Sequence, residues 1–161
     1  MNNFSAFYNK YKDRLLAYLI RLTGDYHLSN DIVQESFTRY LEHYGCTEKS
    51  PSLLFAIARN ALFDIMRNAQ RRARFEETQQ NPVKNPEDQL IKRDEYRQIL
   101  SAWEKLGPSE RDILGLVING QLSYREIANI TGFSEANVKV KIHRARVKLK
   151  QNKGDDNAGR A

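Results

Sequence analysis

The segment from residue 123 to 150 constrains the fold more than any other part of this chain. Ser123 and Glu126 have the spacing of a capping box, in which each side chain accepts a hydrogen bond from a free backbone amide of the first helical turn. Gly132 follows where a residue with positive φ is needed to reverse the chain, and Ser134 can cap a second helix. The apolar residues of that second helix recur at three- and four-residue steps, at Val138, Ile142, Ala145 and Leu149. The segment therefore predicts two helices joined by a short turn.

The side of the second helix opposite this apolar stripe is mainly basic. It carries Lys139, Val140, His143 and Arg144, with Lys141, Arg146, Lys148 and Lys150 on its flanks. Such a pair of helices is typical of a helix-turn-helix whose second helix enters the major groove of duplex DNA. The alternative is an ordinary amphipathic hairpin with a solvated basic face. The helix-turn-helix is favoured because the cap, the glycine and the apolar stripe all fall in register.

The charge of the chain is positive and unevenly distributed. Its 161 residues include 26 lysines and arginines against 20 aspartates and glutamates, for a formal net charge of +6. Such a balance favours a polyanion as partner without identifying one. Residues 59–74 are rich in arginine, whereas residues 25–42 are mainly acidic. An acidic helix in a basic protein predicts a second partner that is itself a protein.

The sequence argues against several other classes of protein. Cys46 is the only cysteine, so an internal disulfide and a thiolate zinc site are excluded. His27, His43 and His143 are scattered, and neither a nucleophile–base arrangement nor a carboxylate cluster of metal-ligand spacing is visible. No apolar run reaches membrane-spanning length, and the N-terminus lacks the order of a signal peptide. We therefore expect a protein that is not an enzyme, needs no metal or cofactor, is not inserted in a membrane and stays in the reducing cytoplasm.

Apolar periodicity divides the chain into two helical regions with a polar segment between them. In the first region, residues 1–74, one helix ends at Thr23–Gly24 and a second is expected to begin near Ser29–Asp31. The pair Ser50–Pro51 starts a third helix, with serine as cap and proline where its missing amide costs nothing. Residues 75–85 are polar and contain proline, which is typical of a flexible linker, although a surface loop within a single domain is the alternative.

The second region, residues 86–150, is predicted to contain further helices before the helix-turn-helix. Pro86 opens one helix, which ends at Gly107–Pro108. Ser109 and Asp112 have capping-box spacing at the start of the next helix. The pair Asn119–Gly120 then closes that helix before the two helices described above.

We therefore predict an all-α protein of two small helical domains joined by a flexible linker. The C-terminal domain contains the helix-turn-helix. Trp103 and Phe55 occur at helical spacing among apolar residues and are assigned to the cores. The last residues, 151–161, have nothing to bury and are predicted to form a disordered tail.

Two blocks of this sequence resemble conserved regions of bacterial sigma factors. Asp31-Ile-Val-Gln-Glu-Ser-Phe-Thr-Arg39 resembles part of region 2, and Ile57-Ala-Arg-Asn60, followed by Asp64 and Arg67, resembles its downstream part. The segments that resemble region 4 are residues 106–111, 122–128 and 138–146. Because both blocks occur in the right order with only a short tether between them, the chain is similar to the extracytoplasmic-function (ECF, group IV) sigma factors over roughly residues 4 to 150.

This resemblance implies a protein that binds core RNA polymerase, directs it to promoters through their −10 and −35 elements, and helps to open the duplex. Its region 2 helix would dock on a coiled coil of the largest catalytic subunit, with Asp31, Gln34 and Glu35 at the contact. An acidic face suits a protein contact and would repel DNA, in agreement with the charge distribution. Asp31 has a second interpretation, a charge at a helix N-terminus stabilised by the helix dipole. Family members are usually held inactive by an anti-sigma factor, which would clamp the two domains and hide their DNA faces.

The resemblance also divides the candidate DNA contacts between the two domains. Loop 45–50 and the helix after it would hold the −10 element and its separated strand, with contacts from Arg59, Asn60, Arg67, Arg71 and Arg72. Each arginine taken alone fits a solvated helix end better, and the argument for contacts rests on the cluster. The recognition helix would enter the major groove at the −35 element with Asn137, Lys139, Val140, Lys141, His143, Arg144 and Arg146. Two positions depart from the family pattern: Leu53 replaces the usual tryptophan, and Ala136-Asn137 replaces the common Gly-Thr pair. Promoter preference therefore does not follow from the family pattern.

Two other functions fit parts of the sequence. A stand-alone transcriptional regulator would carry the same helix-turn-helix and bind its operator without polymerase. It would not need the Asp-Ile-Val-Gln-Glu block or the arginines after Asn60. An enzyme acting on nucleic acid would need catalytic groups that the sequence does not display. We therefore expect a sigma factor with no small-molecule substrate.

Overall fold

The computed structural model describes residues 3–47, 49–75 and 101–158, with side chains as far as residue 151. Its helices are α1 (Asn3–Thr23), α2 (Tyr26–Tyr44), α3 (Pro51–Phe75), α4 (Pro108–Gly120), α5 (Tyr124–Thr131) and α6 (Glu135–Ala158). Residues 101–104 are also helical, and these ranges contain no strand, so the all-α prediction is confirmed. Most of the predicted linker and most of the helix predicted after Pro86 lie outside the described residues.

The start of α2 differs from the prediction. Helix α2 begins at Tyr26 rather than near Ser29–Asp31. The reason is a cap that the sequence pattern did not reveal: the carboxylate of Asp25 accepts a hydrogen bond from the Leu28 amide at 3.0 Å. Asp31 therefore lies beyond the first turn, where the helix dipole has little effect, and its interpretation as an N-terminal charge is wrong.

Helix α3 starts as predicted and then leaves the core. It begins at Pro51, and the hydroxyl of Ser50 accepts a hydrogen bond from the Leu53 amide at 3.3 Å. Its first half packs on α2, but every residue from Asp64 to the end at Phe75 is exposed. The arginine-rich half of α3 is thus a projecting helix without a buried side.

The start of α4 corrects a second prediction. Gly107 is the N-cap, Pro108 occupies the first turn, and a carboxylate oxygen of Glu110 accepts a hydrogen bond from the Gly107 amide at 3.2 Å. The predicted capping box of Ser109 and Asp112 is therefore wrong. Asp112 is 3% exposed and points into the protein, where its carboxylate has other partners.

The helix-turn-helix has the predicted local structure. The Ser123 hydroxyl accepts from the Glu126 amide at 3.2 Å, and the Glu126 carboxylate accepts from the Ser123 amide at 2.9 Å. Gly132 ends α5 with φ of 81°, in the left-handed region, and Ser134 accepts a hydrogen bond from the Asn137 amide at 3.1 Å. The apolar stripe of α6 is buried at Val138, Ile142 and Ala145 and half-buried at Leu149.

Helix α6 is longer than expected. Its backbone is helical to Ala158, beyond residue 150, where the sequence analysis ends the domain and begins a disordered tail. A helix that has already nucleated can extend into residues that bury nothing, because each added residue gains a backbone hydrogen bond. The predicted boundary at residue 150 is therefore not the end of the helix.

The two halves of the chain pack on one shared core. Helix α1 lies against α2 in the N-terminal domain (described residues 3–75) and against α4 in the C-terminal domain (described residues 101–158). Tyr18 is fully buried between them, and its ring faces Gly115, where a Cβ would come within 2.8 Å of a ring carbon. The close approach of α1 to α4 therefore depends on the absence of a side chain at Gly115. Phe55 and Trp103 are buried, as predicted.

The described helices are not membrane-spanning elements. None of the helices in residues 3–47, 49–75 and 101–158 has both the length and the apolar character needed to cross a membrane.

Candidate nucleic-acid interface

The outer face of α6 is open to solvent between Lys139 and Arg146. Lys139, Val140, His143 and Arg144 are all exposed, on the side opposite the buried residues that fix the helix to α4 and α5. Val140 is 44% exposed and supplies an apolar group at the centre of this face. An apolar group flanked by donors matches the mixture of methyl groups and acceptors on base edges in the major groove. Asn137 and Arg146 are exposed as well.

Lys141 is placed differently from the other predicted contacts of α6. It is half-buried, its Nζ lies 3.2 Å from the Ser109 hydroxyl, and it sits 4.9 Å from the centre of the Phe133 ring. Lys148 likewise reaches back to α4 and donates to a carboxylate oxygen of Glu110 at 2.9 Å. These lysines therefore hold α6 against α4, and Lys141 turns away from the open face.

The groups around Glu110 change the pKa of its carboxyl group. Burial raises its pKa, but hydrogen bonds from Lys148 and from the Gly107 amide, with the charges of Lys148 and Lys141, lower the pKa by more. The net pKa is below the ordinary value. The ionised form of Glu110 is thus the one that joins α4 to α6.

The basic half of α3 presents a second cluster of donors. Asn60, Arg67, Arg71 and Arg72 are exposed, and Arg67 forms an ion pair with Asp64 at 2.5 Å within the same helix. A shallow surface groove along this part of α3 is lined by Arg59, Asn60, Phe63, Met66, Arg67 and Gln70. Side chains that no packing restrains can adapt to the backbone of a flexible strand, so the cluster suits phosphate contacts better than base readout.

Arg59 is the exception within this cluster. Its side chain is only 15% exposed, and its Nε donates to a carboxylate oxygen of Asp112 at 2.8 Å. A second nitrogen donates to the Ile130 carbonyl at 3.3 Å, and the guanidinium lies 4.4 Å from the centre of the Phe63 ring. Both polar partners belong to the C-terminal domain. Arg59 is therefore committed to a contact between the domains rather than presented to solvent.

Tyr18 completes this contact from α1. Its hydroxyl donates to the other carboxylate oxygen of Asp112 at 2.6 Å. Burial raises the pKa of Tyr18 well above its ordinary value, the charge of Asp112 and its hydrogen bond raise it further, and the charge of Arg59 opposes them. Tyr18 thus remains neutral and acts as a donor. We call the contact formed by Tyr18, Arg59, Asp112 and the Ile130 carbonyl the interdomain clasp.

A second contact between the domains forms around Arg21. Its guanidinium donates to the Asn119 side-chain oxygen at 3.1 Å and lies 5.0 Å from the centre of the Trp103 ring. Burial lowers the pKa of Arg21. An arginine stacked on an aromatic face keeps its charge and loses part of its hydration, which is an arrangement common at protein interfaces.

The acidic face of α2 is separate from all of these contacts. Asp31, Gln34 and Glu35 are exposed along one side of the helix. Glu35 forms an ion pair with Arg39 at 2.8 Å, and the Gln34 amide lies 3.4 Å from the Tyr8 hydroxyl. Among the described residues there is no group of three or more histidine, cysteine, aspartate or glutamate side chains that could hold a metal.

Comparison with known families identifies both halves of the chain. Residues 7–72 match sigma-70 region 2, and residues 96–149 match sigma-70 region 4. The chain is 31% identical over 152 residues to the ECF RNA polymerase sigma factor SigM of Bacillus subtilis, covering 89% of this chain and 90% of that protein. It is 30% identical over 153 residues to the RNA polymerase sigma factor YlaC of the same organism, covering 90% and 88%. The chain belongs to the ECF RNA polymerase sigma factors. The predicted sigma-factor function is therefore confirmed.

Solved structures of similar fold include that of a sigma factor. The sigma factor RpoE, in a co-crystal structure with the anti-sigma factor NepR from Bartonella quintana, matches with a TM-score of 0.71 at 18% identity, over 94% of this chain and 96% of that one. CnrH, in complex with the cytosolic domain of CnrY, matches with a TM-score of 0.67 at 20% identity, over 95% and 88%. At these identities the likeness establishes the two-domain fold of the sigma factor.

Sequence reasoning missed the residues that join the domains of this sigma factor. Tyr18, Arg21, Asp112 and Asn119 were not singled out as site residues, because their partners are distant in the sequence: 94 positions separate Tyr18 from Asp112. One local signal was present. Asp112 and Asn119 fall at helical spacing with Leu116 on the buried side of α4, and a polar residue on an apolar face needs a partner.

Proposed function

We propose that this sigma factor recognises its promoter with two different helices and contacts core RNA polymerase with a third. The domain that spans residues 1–74 would bind polymerase and the −10 element, and the domain that spans residues 86–150 would bind the −35 element, with residues 75–85 as the linker. The observation that carries the proposal is the open basic face of α6, which is exposed on the side opposite its buried stripe. Nothing within the described residues needs that face for folding.

At the −35 element, we assign base contacts to the centre of the α6 face. Val140, His143 and Arg144 project from it, and Asn137 and Lys139 stand beside them. Arginine donates well to guanine and asparagine to adenine, while an apolar group can contact the methyl group of thymine. Arg146 suits a phosphate contact. Lys141 would assist indirectly, because its contacts with Ser109 and Phe133 fix the position of α6.

At the −10 element, we assign strand contacts to α3. Asn60 and Arg67 line its surface groove, and Arg71 and Arg72 continue the positive charge along the exposed half of the helix. A separated strand offers phosphates and unstacked bases, both of which adaptable basic side chains can hold. Arg59 would join this set only after it leaves Asp112.

For polymerase, we propose a contact through Asp31, Gln34 and Glu35 on α2. Their exposure on an acidic side of a basic protein supports a protein partner there, since DNA would be repelled. By the family resemblance, the receiving surface is a coiled coil of the largest catalytic subunit. The sigma factor would act in the cytoplasm, where polymerase and the chromosome are, and would have no catalytic site or small-molecule substrate of its own.

We also propose that an anti-sigma factor regulates this protein and that it belongs to the group IV subgroup. The solved structures of similar fold include the sigma factor RpoE in complex with the anti-sigma factor NepR, which supports an anti-sigma partner for this chain. The subgroup assignment is supported by matches to regions 2 and 4 that together account for most of the sequence.

The decisive experiment is transcription with purified core polymerase on genomic DNA, followed by sequencing of the RNA 5′ ends. A sigma factor gives a set of start sites that share −10 and −35 sequences and that disappear when the protein is omitted. A stand-alone regulator gives no such starts. The same assay yields the promoter sequence for the binding measurements below.

The polymerase contact is tested by charge reversal on α2. Glu35→Lys should weaken binding to core polymerase, whereas Asp13→Lys makes the same charge change on an exposed position of α1 and should leave binding intact. Binding is measured by titration of labelled sigma factor with core enzyme. Equal losses in the two variants would show that only net charge matters and would remove α2 from the interface.

A further inference from the structure

The interdomain clasp satisfies one carboxylate from two sides. Each oxygen of Asp112 accepts a hydrogen bond from a different helix of the N-terminal domain, one from the Tyr18 hydroxyl at 2.6 Å and one from the Arg59 Nε at 2.8 Å. Asp112 and Arg59 have side chains only 5% and 15% exposed. A buried carboxylate needs this degree of pairing, so the carboxylate specifies one register between the domains.

The clasp occupies a group that belongs to the DNA-binding surface. Arg59 precedes Asn60 on α3 and lines the same groove as Arg67. A guanidinium that donates its Nε to a carboxylate and a second nitrogen to the Ile130 carbonyl has lost the orientation in which it would hold a phosphate. Asp112 therefore supplies to Arg59 the same kind of anionic oxygen that a DNA strand would supply.

The interface around the clasp is closely packed but imperfectly satisfied. Three buried side-chain nitrogens have no hydrogen-bond partner among the described residues, and they belong to Arg14, Arg111 and Asn119. Arg14 precedes Tyr18 by one helical turn, and Arg111 precedes Gly115 by one turn, so both lie on the sides that α1 and α4 turn towards each other. Unpaired buried donors recover their hydrogen bonds in water, which favours separation of the domains.

The ion pair itself also suits a reversible contact. When two buried ions separate into water, each regains the hydration that it lost, so the pair adds little net stability to the closed arrangement. The main effect of the pair is to fix how the two domains are placed against each other. A contact of this kind can hold a defined closed form and still give way to a partner that binds the open form.

We propose that the interdomain clasp is an autoinhibitory contact: in the free chain Asp112 takes the place of a DNA phosphate on Arg59, and Arg59 can engage a promoter strand only when the domains separate. This proposal rests on the sigma-factor function. It adds to that function a specific internal competitor, so that Arg59 binds either Asp112 or a nucleic-acid strand. The other candidate −10 contacts, Asn60, Arg67, Arg71 and Arg72, stay exposed in the closed form. The competition therefore concerns Arg59 alone.

One variant opens the clasp without removing any of its groups. Gly115→Ala adds a Cβ that would meet the Tyr18 ring at 2.8 Å, closer than such contacts are tolerated, while alanine favours the α4 helix itself. Gly107→Ala is the matched control, because the nearest atom to its added Cβ is at 3.9 Å and belongs to the flexible Glu110 side chain. Asp112→Asn is a second opening variant, which removes the charge and keeps the shape.

The separation of the domains is measured by energy transfer between two dyes. One dye is attached at the exposed native Cys46 and the other at Arg125→Cys, an exposed position on α5. We expect high transfer in the parent chain and in Gly107→Ala, and lower transfer in Gly115→Ala and Asp112→Asn. Low transfer in the parent chain would overturn the proposal, as would unchanged transfer in both opening variants.

The release of Arg59 is measured by binding of the free chain to a random-sequence single-stranded oligonucleotide. Gly115→Ala should bind roughly fivefold or more tightly than the parent, because overpacking by one methyl group shifts the population towards the open form by about that factor or more. Adding Arg59→Ala should abolish the gain. Open variants without a gain, or a gain that survives Arg59→Ala, would overturn the proposal. Transcription by the parent chain with core polymerase is measured in parallel, so that loss of the clasp hypothesis is distinguished from loss of sigma function.

Discussion

The basic parts of α3 and α6 place similar side chains in different structural settings. On α6, the buried Val138 and Ile142 fix which side of the helix faces outward, and the exposed groups stand at known positions on that side. On α3, the segment from Asp64 to Phe75 is exposed all round, so no packing selects an outward face. The single arginine of this cluster that packing does fix is Arg59, and it is held by the other domain.

The difference shows how one composition can serve two kinds of recognition. Base readout requires donors at fixed positions, because base edges differ by the placement of a few atoms. Phosphate contacts tolerate movement, because the strand presents the same charge at every nucleotide. A helix backed by a core suits the first task, and a projecting helix with adaptable arginines suits the second.

The largest expected effect tests whether the two sides of α6 are separate in function. Ile142→Ala should lower the free energy of unfolding by about 2–5 kcal/mol, because it removes a buried side chain and leaves a cavity. Val140→Ala, at a position that is 44% exposed, should change stability by no more than about 0.5 kcal/mol and weaken promoter binding instead. Urea unfolding followed by circular dichroism measures the first quantity. Similar losses of stability in both variants would contradict the assignment of the faces.

The next effect distinguishes fixed readout on α6 from adaptable contacts on α3. Arg144→Ala should reduce affinity for the −35 sequence by about 1–3 kcal/mol and relax preference at one base pair. Arg71→Ala should weaken binding to all sequences alike and reduce its dependence on salt. Binding of polymerase holoenzyme to promoter duplexes that differ at single positions measures both. If Arg144→Ala affects every sequence equally, α6 contacts only phosphate through that residue.

A smaller effect concerns the cap that orients the helix-turn-helix. Ser123→Ala should destabilise the protein by about 1 kcal/mol, because the Glu126 amide loses its acceptor. Ser109→Ala should cost less, no more than about 0.5 kcal/mol, because Ser109 does not cap α4 and loses only one hydrogen bond from the Lys141 side chain, which water can replace. Thermal or urea unfolding of the two variants measures the contrast. Equal destabilisation would mean that the predicted box at Ser109 has a role that the geometry does not provide.

The smallest effect is the dependence of the α4–α6 contact on pH. The pKa of Glu110 is lower in the folded protein than its ordinary value of 4.5, so its contribution to stability is present above that pH and is lost as the pH falls through the folded pKa. Lys148→Met removes one cause of the lowered pKa and should make stability less sensitive to acid in that window. Lys150→Met, at an exposed position on the same helix, is the control. The free energy of unfolding is compared near neutral pH and below the ordinary pKa; parallel curves for parent and Lys148→Met would contradict the role of this pair.

The two helix starts that differ from the predictions have physical causes. Asp25 was overlooked as a cap because Asp31 and Ser29 offered similar patterns a few residues later, and local spacing alone does not choose between them. Ser109 and Asp112 fit the capping-box spacing, but Asp112 instead forms a buried pair with Arg59, and the cap falls to Gly107 and Glu110. The start of α3 and the turn between α5 and α6 were predicted correctly, with Ser50 and Ser134 as caps, because no competing cap stands beside either serine.

In the candidate site, too, the features set by local spacing were predicted from the sequence, and the contacts between distant residues were not. The open side of α6 follows from the period of one helix, and the exposure of Lys139, Val140, His143 and Arg144 was predicted from spacing. Lys141 also falls near that side on a helical wheel. Its long side chain nevertheless reaches Ser109 and Phe133, and a helical wheel does not include residues outside the helix. Arg59 was predicted as a DNA contact from its neighbours in the sequence, and only the packed structure gives it a partner.

The sequence alone determined the all-α class, the turn between α5 and α6, the buried stripe of α6 and the membership of the family. Each of these depends on residues within a few turns of one another, where spacing translates directly into contact. The tertiary structure decided how the two domains meet. The carboxylate of Asp112 bonds to Tyr18 and Arg59, 94 and 53 positions away, and Gly115 allows the approach because it has no side chain. Such contacts leave no periodic signal in the sequence, because they join residues that are distant in the chain and come together only when the helices pack.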